Sequence, residues 1–215
     1  MKKSQALFLF FVTLVLLPFP LSAQSAVQFA DRIQQTYDQA KDLHIEFVQK
    51  TYVAILEKEV SKKGQAYFKK PNKMAIRYEG EQGRNYLSNA KTLWIFETGD
   101  SQAQSYPLND DTMPAEALSF LGGLGQLKRD FAVEDVDPKK WANLKREKQG
   151  LTWLELTPLQ KRSNLQWLVM GFDPENAQAR EVFLYTDSGN VSHYVFDKVE
   201  FNPGLADDLF EYKKK

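Results

Sequence analysis

From Gly64 to Pro107 the chain reads GQAYFKKPNKMAIRYEGEQGRNYLSNAKTLWIFETGDSQAQSYP. It falls into five short segments with strand character, rich in aromatics and joined by very short turns. Such turns link antiparallel neighbours and leave no room for crossover helices. Ala66, Phe68 and Lys70 share one face of one segment, and Met74, Ile76 and Tyr78 share one face of the next. These segments carry more apolar residues than a small solvated hairpin needs. The resulting face must be buried either in the protein's own core or against a guest. Aromatic content fits both readings, because aromatics favour strands and fill sheet cores.

The surrounding pattern predicts one mainly β domain of the α+β class. Residues Val27 to Lys41 read as a helix, with Phe29, Ile33, Tyr37 and Ala40 at spacings of three and four. A single apolar stripe of this kind packs on a sheet. His44 to Val53 alternates, with Ile45, Phe47 and Gln49 on one side and Glu46, Val48 and Lys50 on the other. The charged residues around Glu57 to Ser61 suggest a hairpin tip. Asn109 to Pro114 breaks the strand rhythm, and Ala115 to Leu127 reads as a short helix with a GGLG bend. Strands resume at Phe131–Val136, Thr152–Thr157, Gln166–Phe172, Glu181–Thr186 and His193–Phe201, and Asp187 to Asn190 has the composition of a tight turn. No internal repeat or low-complexity linker divides the chain.

The N-terminus adds a destination. Lys2 and Lys3 precede an apolar run from Ala6 to Leu17 broken by Thr13; Pro18 and Pro20 follow, then Leu21-Ser22-Ala23. This is the pattern of a secretory signal peptide over residues 1–23, cleaved to leave residues 24–215 as a single soluble domain. An uncleaved anchor is the alternative, but the run is short for a membrane span. Cysteine is absent, so there is no disulfide framework and no lipid-bearing residue at the cleavage site. The 28 Lys and Arg balance 28 Asp and Glu. Mixed, near-neutral charge gives no footprint for nucleic acid, and argues equally against an anionic-membrane binder. Lys213 to Lys215 reads as a solvated tail.

A search for catalytic chemistry finds little. The two histidines, His44 and His193, lie in separate strands and read as structural or surface residues. Zinc would want several His or Cys ligands at suitable spacing. There is no G-x-S-x-G turn. Glu79 with Glu81, and Asp173 with Glu175, have the residue types of a glycosidase pair but fall in predicted turns. Gly122-Gly123-Leu124-Gly125 echoes a phosphate loop yet follows a helix rather than a strand. Asn190-Val191-Ser192 matches a common glycosylation pattern. Lys70 carries a charge beside Phe68, either snorkelling at a strand end next to Pro71 or latching the rim of an apolar cavity.

Several runs, taken in order, resemble the periplasmic outer-membrane lipoprotein carrier family, LolA. They are Phe47-Val48-Gln49-Lys50, Phe68-Lys69-Lys70-Pro71-Asn72 and Ser88 to Phe96, then Leu154-Glu155-Leu156-Thr157-Pro158. Asp187 to Asn190 with Tyr194-Val195-Phe196, Val199-Glu200-Phe201-Asn202, and the closing Leu209-Phe210-Glu211-Tyr212 complete the series. The resemblance implies one large curved antiparallel sheet, a half-open barrel covered by lid helices, with a cavity for lipoprotein acyl chains. The implied cavity residues are Phe47, Phe68, Met74, Ile76 and Tyr78 on strands, with Leu118, Phe120, Leu121 and Leu124 on the lid side. The GGLG bend would be its hinge. The implied partners are outer-membrane-directed lipoproteins, an inner-membrane ABC-type release complex and an outer-membrane receptor. The family is monomeric, uses no cofactor and catalyses no covalent chemistry.

Where the family often has arginine before the proline, this chain has Lys70, which keeps the charge but loses the planar fork. A receptor relative would carry a lipid-bearing cysteine and an apolar protruding loop, and Gly80-Glu81-Gln82-Gly83 has no apolar side chain. A carrier of another lipid or glycolipid, and an unrecognised hydrolase, complete the alternatives.

Overall fold

The computed structural model describes residues 25–80, 83–109, 127–160 and 164–213. Helix α1 (Ala26–Gln39) starts at Ser25, whose hydroxyl accepts from the Gln28 N–H at 3.3 Å. It buries Phe29, Ala30, Ile33 and Tyr37 on one side, as their spacing predicts. It ends two residues before Lys41, because Ala40 turns to extended backbone.

Eleven strands follow: β1 (Asp42–Val53), β2 (Lys58–Lys69), β3 (Lys73–Tyr78), β4 (Arg84–Asn89), β5 (Thr92–Glu97), β6 (Gln104–Pro107), β7 (Phe131–Asp135), β8 (Thr152–Pro158), β9 (Leu165–Phe172), β10 (Ala179–Thr186) and β11 (Val191–Phe201). They form one sheet in the order β6-β5-β4-β3-β2-β1-β11-β10-β9-β8-β7. Two antiparallel meanders, β1 to β6 and β7 to β11, thus join side by side through β1 and β11. A twisted open sheet seldom exceeds about ten strands without curling. On the face that carries α1, the inner face, one apolar cluster runs without a break from Leu93 of β5 to Leu154 of β8.

Helix α1 is fastened across this face. Phe29 meets Phe172 edge-on at 6.1 Å, and Tyr37 meets Phe201 at 5.1 Å. The Arg32 guanidinium donates to the main-chain oxygens of Pro174, at 2.7 Å, and Glu175. Asp31 pairs with Lys128, and the Gln34 side chain accepts from the Leu127 N–H at 2.5 Å. Those two contacts tie α1 to the short helix α2 (Leu127–Asp130).

The outer face has two smaller apolar layers. Residues 136–150 lay Trp141 on Val169 and Phe183, where its indole N–H donates to Glu155 at 2.6 Å. The C-terminal segment lays Phe210 on Ala75 and Leu87.

Two local expectations shift. The β1–β2 tip is Ala54–Leu56, a 3-10 turn closed by Glu57 in the left-handed conformation; Lys58 to Ser61 already belong to β2. The expected helix from Ala115 lies outside the described residues except for Leu127, which opens α2. The tight turn at Asp187 to Asn190 forms as expected: Gly189 has φ +80°, and the Thr186 N–H donates to Asn190 O at 3.1 Å.

Candidate functional site

Alternation along β1, β2 and β3 brings Phe47, Phe68, Met74, Ile76 and Tyr78 to the inner face, in one cluster. Phe47 is its centre. Its ring lies edge-on to Tyr78 at 5.4 Å and to Tyr194 at 5.7 Å. Gly64 makes this placement possible: a Cβ there would sit 2.5 Å from Phe47 Cζ and 2.7 Å from the Arg77 oxygen. Leu118, Phe120, Leu121, Leu124 and the GGLG bend lie outside the described residues.

Past Phe47 and Tyr78 the same face turns polar. A cavity of about 340 Å³ opens there, lined by Gln49, Thr51, Val53, Val60, Lys62, Tyr78, Arg84 and Tyr86. Gln49 Nε2 donates to Thr51 Oγ1 at 2.9 Å and to Ser192 Oγ at 3.2 Å, fixing a hydroxyl and amide rim. The lining contains two cations and no carboxylate. An apolar floor and a cationic, hydroxylated mouth therefore share one surface, with Tyr78 in both.

At the other end of the floor, Lys70 Nζ donates to the main-chain oxygens of Tyr37 and Asp38 at 2.9 and 2.8 Å. These are carbonyls of α1's last turn, where the regular i to i+4 partners run out; the Tyr37 oxygen also accepts from the Ala40 N–H at 3.3 Å. Lys70 thus binds the sheet to the helix that covers it. Beside it Tyr37 accepts from the Ala179 N–H at 3.1 Å, and burial holds its phenol far above the ordinary tyrosine range.

The catalytic candidates have structural partners. His44 stacks on Tyr67 at 4.5 Å and pairs through Nδ1 with Glu200 at 3.0 Å. His193 stacks on Phe183 at 4.1 Å and contacts Glu181 at 2.7 Å. The fully buried Glu181 also accepts from the N–H groups of Glu147 and Lys148 at 2.8 and 2.9 Å. It therefore pins residues 136–150 to the outer face. Asp173 folds its own turn, accepting from the Glu175 N–H at 2.8 Å. Among the described residues, no group of three or more His, Cys, Asp or Glu could hold a metal ion. No helix among them is long and apolar enough to cross a membrane.

The inner face is wider than the residues singled out by sequence. Tyr86 and Leu93 extend it to one side, and Leu154, Leu168, Met170, Val182, Leu184 and Phe196 to the other. Period-two alternation, as in Leu154-Glu155-Leu156, carries the signal for these.

The family described as Outer membrane lipoprotein carrier protein LolA matches residues 38–213. A protein of Nitrosomonas europaea named outer-membrane lipoprotein carrier protein is 22% identical over 210 residues, covering 97% of this chain and 94% of its own. One of the same name from Cupriavidus taiwanensis is 26% identical over 197 residues, covering 90% and 88%. The crystal structure of an uncharacterized conserved protein from Thermus thermophilus overlays with a TM-score of 0.51 at 13% identity, covering 88% of this chain and 94% of that one, a likeness of fold alone. With its single open antiparallel sheet and a match that spans most of its length, this chain belongs to the LolA family of outer membrane lipoprotein carriers.

Proposed function

We propose that this protein carries lipoproteins across the periplasm with their acyl chains held on the inner face of the sheet. The observation that carries this reading is the joining of an apolar floor at Phe47, Phe68, Met74, Ile76 and Tyr78 to a polar mouth at Gln49, Thr51, Lys62 and Arg84. An acylated polypeptide has the same two parts, an apolar end and a polar chain. Each methylene kept from water is worth about 0.8 kcal/mol. Several long chains bare in water would therefore cost on the order of tens of kcal/mol, so passage needs a cover.

Release needs the cover to lift. Besides its buried apolar stripe, α1 is held down by a small set of polar contacts: Lys70 at its last turn, Arg32 on residues 174–175, the Tyr37 hydroxyl on Ala179, and Asp31 and Gln34 on α2. Acyl chains would replace the apolar contacts of α1, and Leu118, Phe120, Leu121 and Leu124 would cover them from the lid side, with the GGLG bend as hinge. Lys70 would act as the latch, closed when the protein is empty. The signal peptide at residues 1–23 would deliver the chain to the periplasm. An inner-membrane ABC-type complex would load it and an outer-membrane receptor would unload it. The work is transfer without covalent chemistry, by a monomer that needs no cofactor.

The test is release from spheroplasts that hold radiolabelled outer-membrane lipoproteins. Added protein should bring labelled lipoprotein into the soluble fraction in a one-to-one complex. Label that stays with the membrane at every protein concentration would refute the reading.

A further inference from the structure

The β1–β2 hairpin reaches beyond its neighbour. β3 pairs with β2 from Gly64 to Lys69 and the Glu79 N–H adds a bond to Lys63 O at 2.9 Å, so among the described residues Lys58 to Lys62 have β1 as their only strand neighbour. At the end of this projection stand Ile55, 91% exposed, and Leu56, 66% exposed. Tyr52 and Val60 add exposed apolar surface just behind them. Isolated apolar residues on a surface need no explanation, but two adjacent ones at the apex of a projecting hairpin form a contiguous patch. The apex is held in shape. The Ala54 N–H donates to Asn190 Oδ1 at 3.0 Å, and the Glu57 N–H donates to Ala54 O at 3.3 Å.

Charge around the apex is sorted by face. Lys58, Val60 and Lys62 alternate onto the inner side of β2, and Arg84 lines the cavity mouth with Lys62. Lys63 and Glu59 point to the outer side, Glu57 sits in the turn, and Lys50 is engaged by Glu147. On the inner side of the projection the charges are therefore cationic. The chain's net charge of zero hides this, because it averages over the whole surface.

We propose that the β1–β2 apex docks on an anionic phospholipid bilayer, Ile55 and Leu56 entering the headgroup region while Lys58, Lys62 and Arg84 face lipid phosphates. Apolar side chains with lysine and arginine along the inner side match the two layers of such a surface, and binding of this kind sums apolar burial and electrostatic attraction. Two adjacent exposed apolar side chains at a hairpin tip fit a soft lipid surface better than a preformed protein groove. Val53 and Val60 belong both to the apex strands and to the cavity lining, so docking brings the cavity mouth against the bilayer. The inference stands whatever the cavity carries.

The test is sedimentation of the purified protein with vesicles of phosphatidylcholine, with or without phosphatidylglycerol. The protein should pellet with the mixed vesicles and much less with phosphatidylcholine alone, and added salt should weaken the binding. Paired Ile55→Asp and Leu56→Asp substitutions should cut binding tenfold or more with an unchanged thermal melting point. Paired Lys58→Glu and Lys62→Glu substitutions should abolish the preference for phosphatidylglycerol. No pelleting of the wild type, or equal pelleting of the Asp variant, would overturn the proposal. Binding to native inner-membrane vesicles that disappears when their proteins are first digested would overturn it in favour of a protein partner. Binding of a fluorescent fatty acid by the Asp variant, measured in parallel, separates loss of docking from loss of the cavity.

Discussion

Lys70 Nζ and the main-chain oxygen of Tyr37 lie 2.9 Å apart, and this contact links the end of β2 to the end of α1. A cation at a helix C-terminus interacts favourably with the partial negative charge there, by about 0.3–1 kcal/mol. Lys70→Ala should lower unfolding stability by about that amount, while Lys70→Arg, which retains the charge, should stay near the wild type. Urea unfolding followed by far-UV circular dichroism measures both. If Lys70 also latches the cover, the alanine variant should bind a fluorescent fatty acid faster than the wild type does. Unchanged rates with reduced stability would leave Lys70 as a helix cap and nothing more.

Gly64 and Phe47 are matched in size. A methyl group on residue 64 would overlap both the Phe47 ring and the Arg77 carbonyl, and overpacking of this kind costs about 1–3 kcal/mol. Gly64→Ala should destabilise by that amount. Adding Phe47→Leu should recover only part of the loss, since the carbonyl overlap is backbone and remains. Full recovery in denaturant unfolding would place the whole conflict on the ring.

The elements that are legible in the sequence are those governed by local periodicity. Met74, Ile76 and Tyr78 announce β3, and Phe29, Ile33 and Tyr37 announce the buried stripe of α1. The apex is harder to place because the charges at Glu57 to Ser61 read as the hairpin tip, whereas Ala54-Ile55-Leu56 carries no turn residue. The energetics run the other way there: the turn is apolar, and lysines guard the unpaired edge of β2, a common protection against edge pairing. Lys70 is visible as an anomaly, but its partners are main-chain oxygens and carry no side-chain signature. The outer-face layers are also hidden. Glu155 and Glu181 look like solvent-facing strand residues, yet each is buried under residues 136–150 and hydrogen-bonded there.

The Lys50–Glu147 pair, 2.6 Å apart, sets a pH window. Hydrogen bonding to Lys50 holds Glu147 below the ordinary glutamate value of 4.5, and the same bond holds Lys50 above the ordinary lysine value of 10.5. The depressed carboxyl adds stability above its unfolded pKa and loses it as pH falls through the folded one. The raised ammonium adds stability below its unfolded pKa and loses it as pH rises through the folded one. The pair is half-exposed, so screening limits its contribution to about 0.2–1 kcal/mol. Lys50→Met should reduce stability between those two limits, and its curve should converge on the wild type in acid. The difference should shrink in high salt. Denaturant midpoints across pH, at two salt concentrations, provide the check.

Phe210 is fully buried although it lies only a few residues from the C-terminus. It packs on Ala75 and Leu87, on the outer side of the strands whose inner side carries Met74, Ile76 and Tyr86. The segment is held at its start by Asp42, which accepts from the N–H groups of Gly204 and Leu205 at 3.2 and 2.9 Å. Asp207, paired with Lys69 and Lys73, holds it further on. Removing a buried phenylalanine side chain costs about 3–5 kcal/mol. Phe210→Ala should therefore destabilise the protein by that amount, although the residue is remote from the inner face. Because β3 and β4 are sandwiched between the two layers, the loss should appear as faster amide exchange in both strands. Exchange that quickens only in residues 203–213 would show instead that the C-terminal segment frays alone and that the inner face does not depend on it.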